Sequence, residues 1–382
     1  MIFILPSADY EFYLGQNHLP EHEVLFEPTE QLLNLYESLG LRTTLFCDVA
    51  CIWRYREWGK ESIASQMERQ MVDAITRGHD VQAHLHPHWL QTEMINGRYL
   101  FAEKDFLLGS LRADLDPCRQ IVEQLLTRTV TYLQNLLQPM DPNYRCLAFR
   151  AGGYGLQPRE KMILAALIQS GFVMDSSIIP GLRHHTSTHQ VDFSKVPRQA
   201  NYWLHPQGGI EDPGREGEGL LEIPIPGYHA TPWQAWRINL PEALRQGANI
   251  LLGLTKKQQP RGQPCGVATK GHTAPETSRL RQAYWRSRAM LNTRFHRLEA
   301  GPSLKIMESV LEGYLASLPH HPPSIYLSLI SHPKGMSARH FNVLRRFHQR
   351  LQRYRRDSFR CITFREAWHQ QAEKLRSLIT NP

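Results

Sequence analysis

No stretch of this chain approaches the ~20 consecutive apolar residues that a membrane-spanning helix needs, and no two of its cysteines form a CxxC pair. The first absence excludes a transmembrane helix read from hydropathy. The second removes the usual zinc-ribbon and thiol-redox signatures. Cys47, Cys51, Cys118, Cys146, Cys265 and Cys361 therefore read as reduced core thiols. The opening "MIFIL" is too short for the apolar core of a signal peptide and has no basic start. It reads as a strand, and the expectation is a cytoplasmic protein. Internal repeats are missing too. Acidic residues are the minority charge, 36 against 44 Lys and Arg, for a net +8. That balance suits phosphorylated or anionic partners and does not by itself indicate nucleic acid, so no nucleic-acid partner is expected.

What is present is ample for a core: 382 residues, 41% of them hydrophobic. Short apolar runs alternate with helical patterns. Residues 2–8, "RTTLFCDV", "DVQAHL", "RCLAFRA", "FVMDSS", "LLEIPIP", "SIYLSLIS" and "CITF" read as strands. "EPTEQLLNLYESLGL" and "ESIASQMERQMVDAITRG" read as helices, with Gly40 and Gly78 as their stops. A helix-rich segment covers 105–138. Such alternation argues for an α/β fold with a parallel sheet, open or closed into a barrel.

Two stretches, 182–218 and 255–278, are polar and rich in Pro and Gly, and read as insertions because the pattern resumes after each. We read 1–382 as one domain, with insertions near 182–218 and 229–315 and a basic helix near 337–356. In that helix Leu344, Phe347 and Leu351 recur at three- and four-residue steps opposite an arginine-rich face. The arginine face is a candidate for peripheral membrane contact.

Asp9, His84, Arg150, Asp175 and His332 each fall at or just past the carboxyl end of a strand-like run, so a parallel barrel would gather them on one face. "GHDVQAHLHPHW" crowds four histidines into residues 79–88. An extended chain would put His84, His86 and His88 on one face, whereas a helix starting after His84 would align His84 with His88. Pro87 disfavours a continuous strand, so His84 and His88 are favoured as ligands of one divalent metal, such as zinc. His86 is then a substrate-facing group and His79 a helix C-terminal histidine. Asp9 and Glu11 lie two apart, and the pair suits one carboxylate on the metal and one acting as base. Arg150 precedes Gly152 and Gly153 and needs a carboxylate partner. His332 follows "IYLSLI", and Asp175 is its candidate partner.

In chain order "SADYE", "HLHPH", "FRAGGY", "DSS" with "LEIPIPG", and "LISHP" resemble the polysaccharide deacetylase superfamily, the NodB-like carbohydrate esterases of family 4, over residues 2 to 335. The resemblance implies a distorted (β/α)7 barrel and a metal-dependent hydrolase of linear amide C–N bonds. It implies removal of an N-acetyl group from an amino sugar in a glycan or its precursor; the basic balance and the missing signal peptide motivate a diphosphate-linked one. It assigns Asp9 as base, Glu11, His84 and His88 as metal ligands, and Arg150 as the partner of the base. His332 would be the general acid tuned by Asp175. On this mechanism a backbone N–H near Tyr154 is expected to stabilise the substrate oxyanion. The commonest first motif of the family has adjacent aspartates; here Tyr10 separates Asp9 from Glu11, as in an Asp-x-Glu branch. Two alternatives stay open: a related hydrolase of a non-sugar amide or ureide without metal, and a non-catalytic glycan-binding member. Oligomeric state is not readable from the sequence.

Overall fold

The structure, a computed structural model, describes residues 1–13, 18–186, 189–252, 263–264, 279–354 and 357–380. Nearly all of the polar stretch 255–278, with Cys265, and the last two residues of the predicted basic helix lie outside this set.

Nine strands form the main sheet among the described residues. They are β1 (Ile2–Tyr10), β2 (Thr44–Asp48), β3 (Asp80–Leu85), β4 (Ala148–Ala151), β5 (Met174–Asp175), β6 (Tyr202–Leu204), β7 (Leu220–Glu222), β8 (Ile325–Ser331) and β9 (Phe359–Cys361). The order is β6-β7-β5-β4-β3-β2-β1-β8, and β9 also pairs with β1. Every pairing is parallel except β6 with β7. The sheet curls until its ends meet: Ser328 N–H donates to the Pro224 carbonyl at 3.0 Å, and residues 298–300 bridge Pro226 to Ile330 beside it. The result is an α/β half-barrel compatible with a distorted barrel. A strict seven-fold repeat is not what is seen, because β6 runs antiparallel and β9 adds a further parallel strand.

Helices α1 (Glu27–Ser38), α2 (Val49–Glu57), α3 (Glu61–Thr76), α4 (Leu115–Leu137) and α5 (Glu160–Gln169) connect the first strands. Each helix buries one apolar stripe: Leu32, Leu33, Leu35 and Tyr36 on α1, and Met67, Met71, Ala74 and Ile75 on α3, with Leu39 and Ile63 partly buried beside them. Gly40 and Gly78 end these helices with φ of +67° and +81°, the left-handed turn that glycine takes without strain. The insertions hold structure of their own. The first contributes β6 and a hairpin, Arg183–His185 with Gln190–Asp192. The second is a ribbon, Gly227–His229 with Phe295–Arg297, topped by α6 (Pro232–Leu251) and α7 (Arg279–Leu291) and followed by α8 (Leu304–Ala316).

Strand parity sorts the side chains. On β1, Phe3 and Leu5 share the inner face with Ser7 and Asp9. At the amino end this face is apolar: Phe3, Leu5, Phe46, Ala148, Met174, Leu221 and Tyr326 form a cluster closed by Phe364 and Ala367 of α10 (Phe364–Thr380). At the carboxyl end the same face turns polar. The outer face packs Ile4, Ala8, Leu45, Val81, Phe149 and Leu327 into the larger core under the helices.

The basic helix is α9 (Ala338–Tyr354), and Leu344, Phe347 and Leu351 are buried as the periodicity predicts. Phe347→Ala should lower unfolding free energy by ~3–5 kcal/mol. Arg350→Ala, which breaks an exposed pair with Glu308 at 2.7 Å, should cost no more than ~1 kcal/mol. Chemical denaturation measures both, and equal effects would contradict the burial pattern.

Candidate active site

Arg150, at the end of β4, lies fully buried inside the curl. Its Nη1 donates to Asp9 Oδ1 at 2.7 Å. Its Nη2 reaches the hydroxyls of Ser7 (2.9 Å), Ser328 (2.9 Å) and Ser176 (3.1 Å), and its Nε donates to the Ser176 carbonyl at 2.9 Å. The guanidinium also lies 4.0 Å from the Phe46 ring centre. Burial alone would raise the Asp9 carboxyl. Arg150, then His84 and His332, outweigh that and hold it well below the usual carboxylate range.

Glu11 shares the parity of Asp9 one step further on. Its Oε1 accepts from Lys334 Nζ at 2.8 Å. Its Oε2 stands 2.6 Å from His86 Nε2 and 3.5 Å from His84 Nε2. Burial works to raise this carboxyl too, and the Lys334 and His86 charges hold it well below its ordinary value. His84 Nδ1 bonds the Arg150 carbonyl at 2.7 Å, which fixes the ring and turns Nε2 toward Glu11.

Donor atoms of Glu11, His84 and His86 fall within 4.8 Å of one another, as do those of Asp9, Glu11 and His332. Among the described residues His84 Nε2 is buried without a hydrogen-bond partner, and Glu11 Oε2 has only its ion pairs with the His86 and His84 rings. Two imidazoles and a carboxylate converging on one point, with lone-pair atoms left unpaired, fit a divalent ion.

His86, not the expected His88, stands with His84. The chain stays extended through His86, with φ −106° and ψ 95°, and the 3-10 turn begins only at Pro87. Residues two apart therefore share the inward face, and the one four apart is turned away. His88 packs instead among Trp89, Phe101 and Phe106, where burial pushes its pKa down to about 3. Neither of its ring nitrogens has a hydrogen-bond partner among the described residues. Gly152 makes room for His86: a Cβ there would sit 2.5 Å from His86 Nδ1. Asp48, at the end of β2, anchors the turn by accepting from His86 N–H at 3.1 Å.

His332 lies at the rim, its side chain 22% exposed, with Nε2 3.3 Å from Asp9 Oδ2 and Nδ1 2.9 Å from Glu299 Oε1. The expected partner, Asp175, is elsewhere. On β5 Met174 faces inward, so Asp175 points to the opposite face, accepts from Ser177 N–H and Oγ at 2.8 and 2.9 Å, and sits across from Glu222. The inward residue of "DSS" is Ser176. Glu299 arrives from inside the second insertion, at the seam of the sheet, held by Arg297 Nε at 2.7 Å. Burial would raise Glu299, but Arg297 and His332 bring it down to about 2. The Arg297 guanidinium lies 5.7 Å from the Tyr154 ring centre, which places Tyr154 at the same rim.

Asp9, Glu11, His84, His86, Arg150, His332 and Tyr154 are thus gathered, while His88 and Asp175 face away. Sequence reasoning missed Glu299, Asp48 and Lys334. "SHPKG" contains Lys334, two residues after His332, and is the one local signal that was available.

No protein-family model and no curated protein matches the chain. Among solved structures it is similar to a protein described as a polysaccharide deacetylase from Mycobacterium smegmatis, at 16% identity over 91% of this chain and 78% of that one, with a TM-score of 0.40. It is also similar to a mutant CE4 family pseudoenzyme with restored enzymatic activity, at 9% identity over 45% and 43% and a TM-score of 0.25. A family 4 carbohydrate esterase from Streptomyces lividans in complex with acetate gives 15% identity over 46% and 61% and a TM-score of 0.25. Scores this low carry no argument about the present chain.

Burial disfavours a charged His332, yet its bonds to Asp9 and Glu299 raise its pKa from 6.5 to about 9. A raised histidine stabilises the fold fully below its ordinary pKa, and that contribution is lost as pH rises through about 9. In metal-stripped protein, an NMR titration of His332 should show a midpoint well above 6.5. Glu299→Gln should lower it, and Asp175→Asn should leave it in place. A larger shift in Asp175→Asn would restore the partner expected from sequence.

Proposed function

We propose that this chain is a metal-dependent hydrolase of the polysaccharide deacetylase type, removing an N-acetyl group from an amino sugar. One observation carries the reading. Glu11, His84 and His86 converge with unpaired buried atoms beside an Asp9–Arg150 pair and a His332–Glu299 pair. A divalent ion held by Glu11, His84 and His86 supplies Lewis acidity toward an amide carbonyl and a nucleophilic water at neutral pH. The roles left to the chain follow from its contacts. Arg150 keeps Asp9 ionised and oriented, so Asp9 Oδ2 takes the proton of the attacking water. His332 keeps its proton on Nε2 because Nδ1–H is committed to Glu299. It delivers that proton to the departing amine nitrogen, which would otherwise leave as an unstable anion. The amide of Tyr154 is assigned to the carbonyl oxygen.

The sugar enters from the rim where His332 is exposed. A cleft of about 890 Å³ is lined by Lys104, Arg159, Arg183 and His184, with Glu160 and Asp192 among its other residues. His184 stacks on His189, whose Nε2 bonds the Gly153 carbonyl behind the site. Lys104 and Arg159 in this mixed lining support an anionic substituent on the substrate, and a diphosphate linkage is the one we favour.

A second reading, a C–N hydrolase without metal, is favoured by Lys334. Its ammonium already meets Glu11 at 2.8 Å and the Phe12 carbonyl at 2.7 Å. Elemental analysis separates the two. The purified protein should carry about one zinc or similar ion per chain. His86→Ala should lose the ion, and His88→Ala should keep it. Asp9→Asn should keep the metal and lower acetate release from an N-acetylated sugar panel by ~10²–10⁴. Metal retained in a His84→Ala/His86→Ala double variant would sink the ligand assignment. Metal-loaded wild type that releases no acetate from any panel member would favour a glycan-binding role.

A further inference from the structure

The α6–α7 pair stands apart from this chemistry. The two helices pack through small side chains: Ser287 Oγ donates to the Ala243 carbonyl at 3.1 Å, and a Cβ on Gly247 would lie 3.0 Å from Ser287 Oγ. Among the described residues, several of their outward side chains are apolar and exposed. On α6, Trp233, Trp236, Leu244 and Leu251 follow one another at steps of three, eight and seven residues, which is one face of a helix. Trp233 and Leu244 are each 64% exposed, and Trp233 stacks on Trp236 at 5.4 Å. On α7, Leu280 is 71% exposed, with Tyr284 and Trp285 exposed beside it.

Charge decides what this surface fits. The thirteen residues of α7, "RLRQAYWRSRAML", carry four arginines and no acid. Arg288 donates to Tyr284 Oη at 3.0 Å, and its guanidinium lies 5.6 Å from the Trp285 ring centre. A second copy of this chain would bring the same four positive charges against these. Tryptophan and tyrosine rings are favoured at the level of lipid headgroups, where one edge is apolar and the other wet. Arginines around them are drawn to anionic headgroups.

We propose that the α6–α7 hairpin docks on a bilayer surface containing anionic lipid. This proposal is independent of the hydrolase reading. It differs from membrane contact through α9, whose apolar face is already buried in the core. The hairpin rises from the ribbon whose second strand ends at Arg297, two residues before Glu299. Docking would therefore hold the rim of the candidate active site beside the membrane.

The full chain should co-sediment with phosphatidylcholine vesicles containing roughly a third phosphatidylglycerol, and much less with phosphatidylcholine alone. Two double variants, Trp233→Ala/Trp236→Ala and Arg286→Glu/Arg288→Glu, should each bind the anionic vesicles at least ~10-fold more weakly. Arg346→Glu/Arg350→Glu on α9 should bind as wild type does. Circular dichroism melts check that each variant folds, and if the tryptophan variant does not, the arginine variant decides. Wild type left in the supernatant with anionic vesicles overturns the proposal. So does an equal loss in the α9 variant, or light scattering showing a wild-type dimer that the tryptophan variant converts to monomer.

Discussion

A guanidinium buried at the centre of a curled sheet is the constraint around which this molecule is arranged. A charge so far from water is tolerated only if it is paired and its donors are satisfied. Arg150 meets both conditions with five hydrogen bonds drawn from three strands: to Asp9 and Ser7 of β1, Ser328 of β8, and Ser176 twice just past β5. Losing Asp9 would leave an uncompensated buried cation, an error worth ~3–5 kcal/mol in comparable settings. The arginine thus ties the opposite ends of the sheet together and fixes the Asp9 carboxylate at the same time.

The inner face changes character along its length. Phe3 and Leu5 fill it at the amino end, where α10 closes it, and Ser7, Asp9 and Glu11 succeed them two residues at a time. The apolar floor excludes water from beneath the polar layer. That raises the stakes of each ion pair, because a low local dielectric strengthens every interaction that is satisfied and penalises every one that is not. His84 Nε2, without a hydrogen bond among the described residues, is costly in such a place, which is why it and the Glu11 Oε2 it faces carry functional weight.

Around Asp9 the charges form an alternating chain: Arg150 to Asp9, Asp9 to His332, His332 to Glu299, Glu299 to Arg297. Each neighbour favours the ionised form of the next, so Asp9 and Glu299 are depressed and His332 is raised, although His332, Glu299 and Arg297 keep partial contact with solvent at the rim. Both ends of the chain are arginines, which cannot lose their protons. The arrangement keeps a base and an acid of opposite charge side by side, two protonation states that free side chains share only between about pH 4 and 6.5 and that this site extends toward about pH 9.

Hydrophobic period and glycine stops by themselves determined the strand–helix order, the buried stripes of α1, α3 and α9, and the strand ends that carry Asp9, His84, Arg150 and His332. These are local properties, written in spacings of two, three and four residues. Which of His86 and His88 joins His84 depended on where extended chain gives way to a turn: a turn after His84 selects His88, and one after His86 selects His86. Asp175 failed for the same reason, since a single step of strand parity moves a side chain to the other face. Glu299 could not be found at all from pattern: it lies in an insertion with no strand-like run, and only closure of the sheet between β7 and β8 carries it to His332. Tertiary structure decided these pairings because ion pairs and hydrogen bonds depend on distances between segments that sequence spacing does not encode.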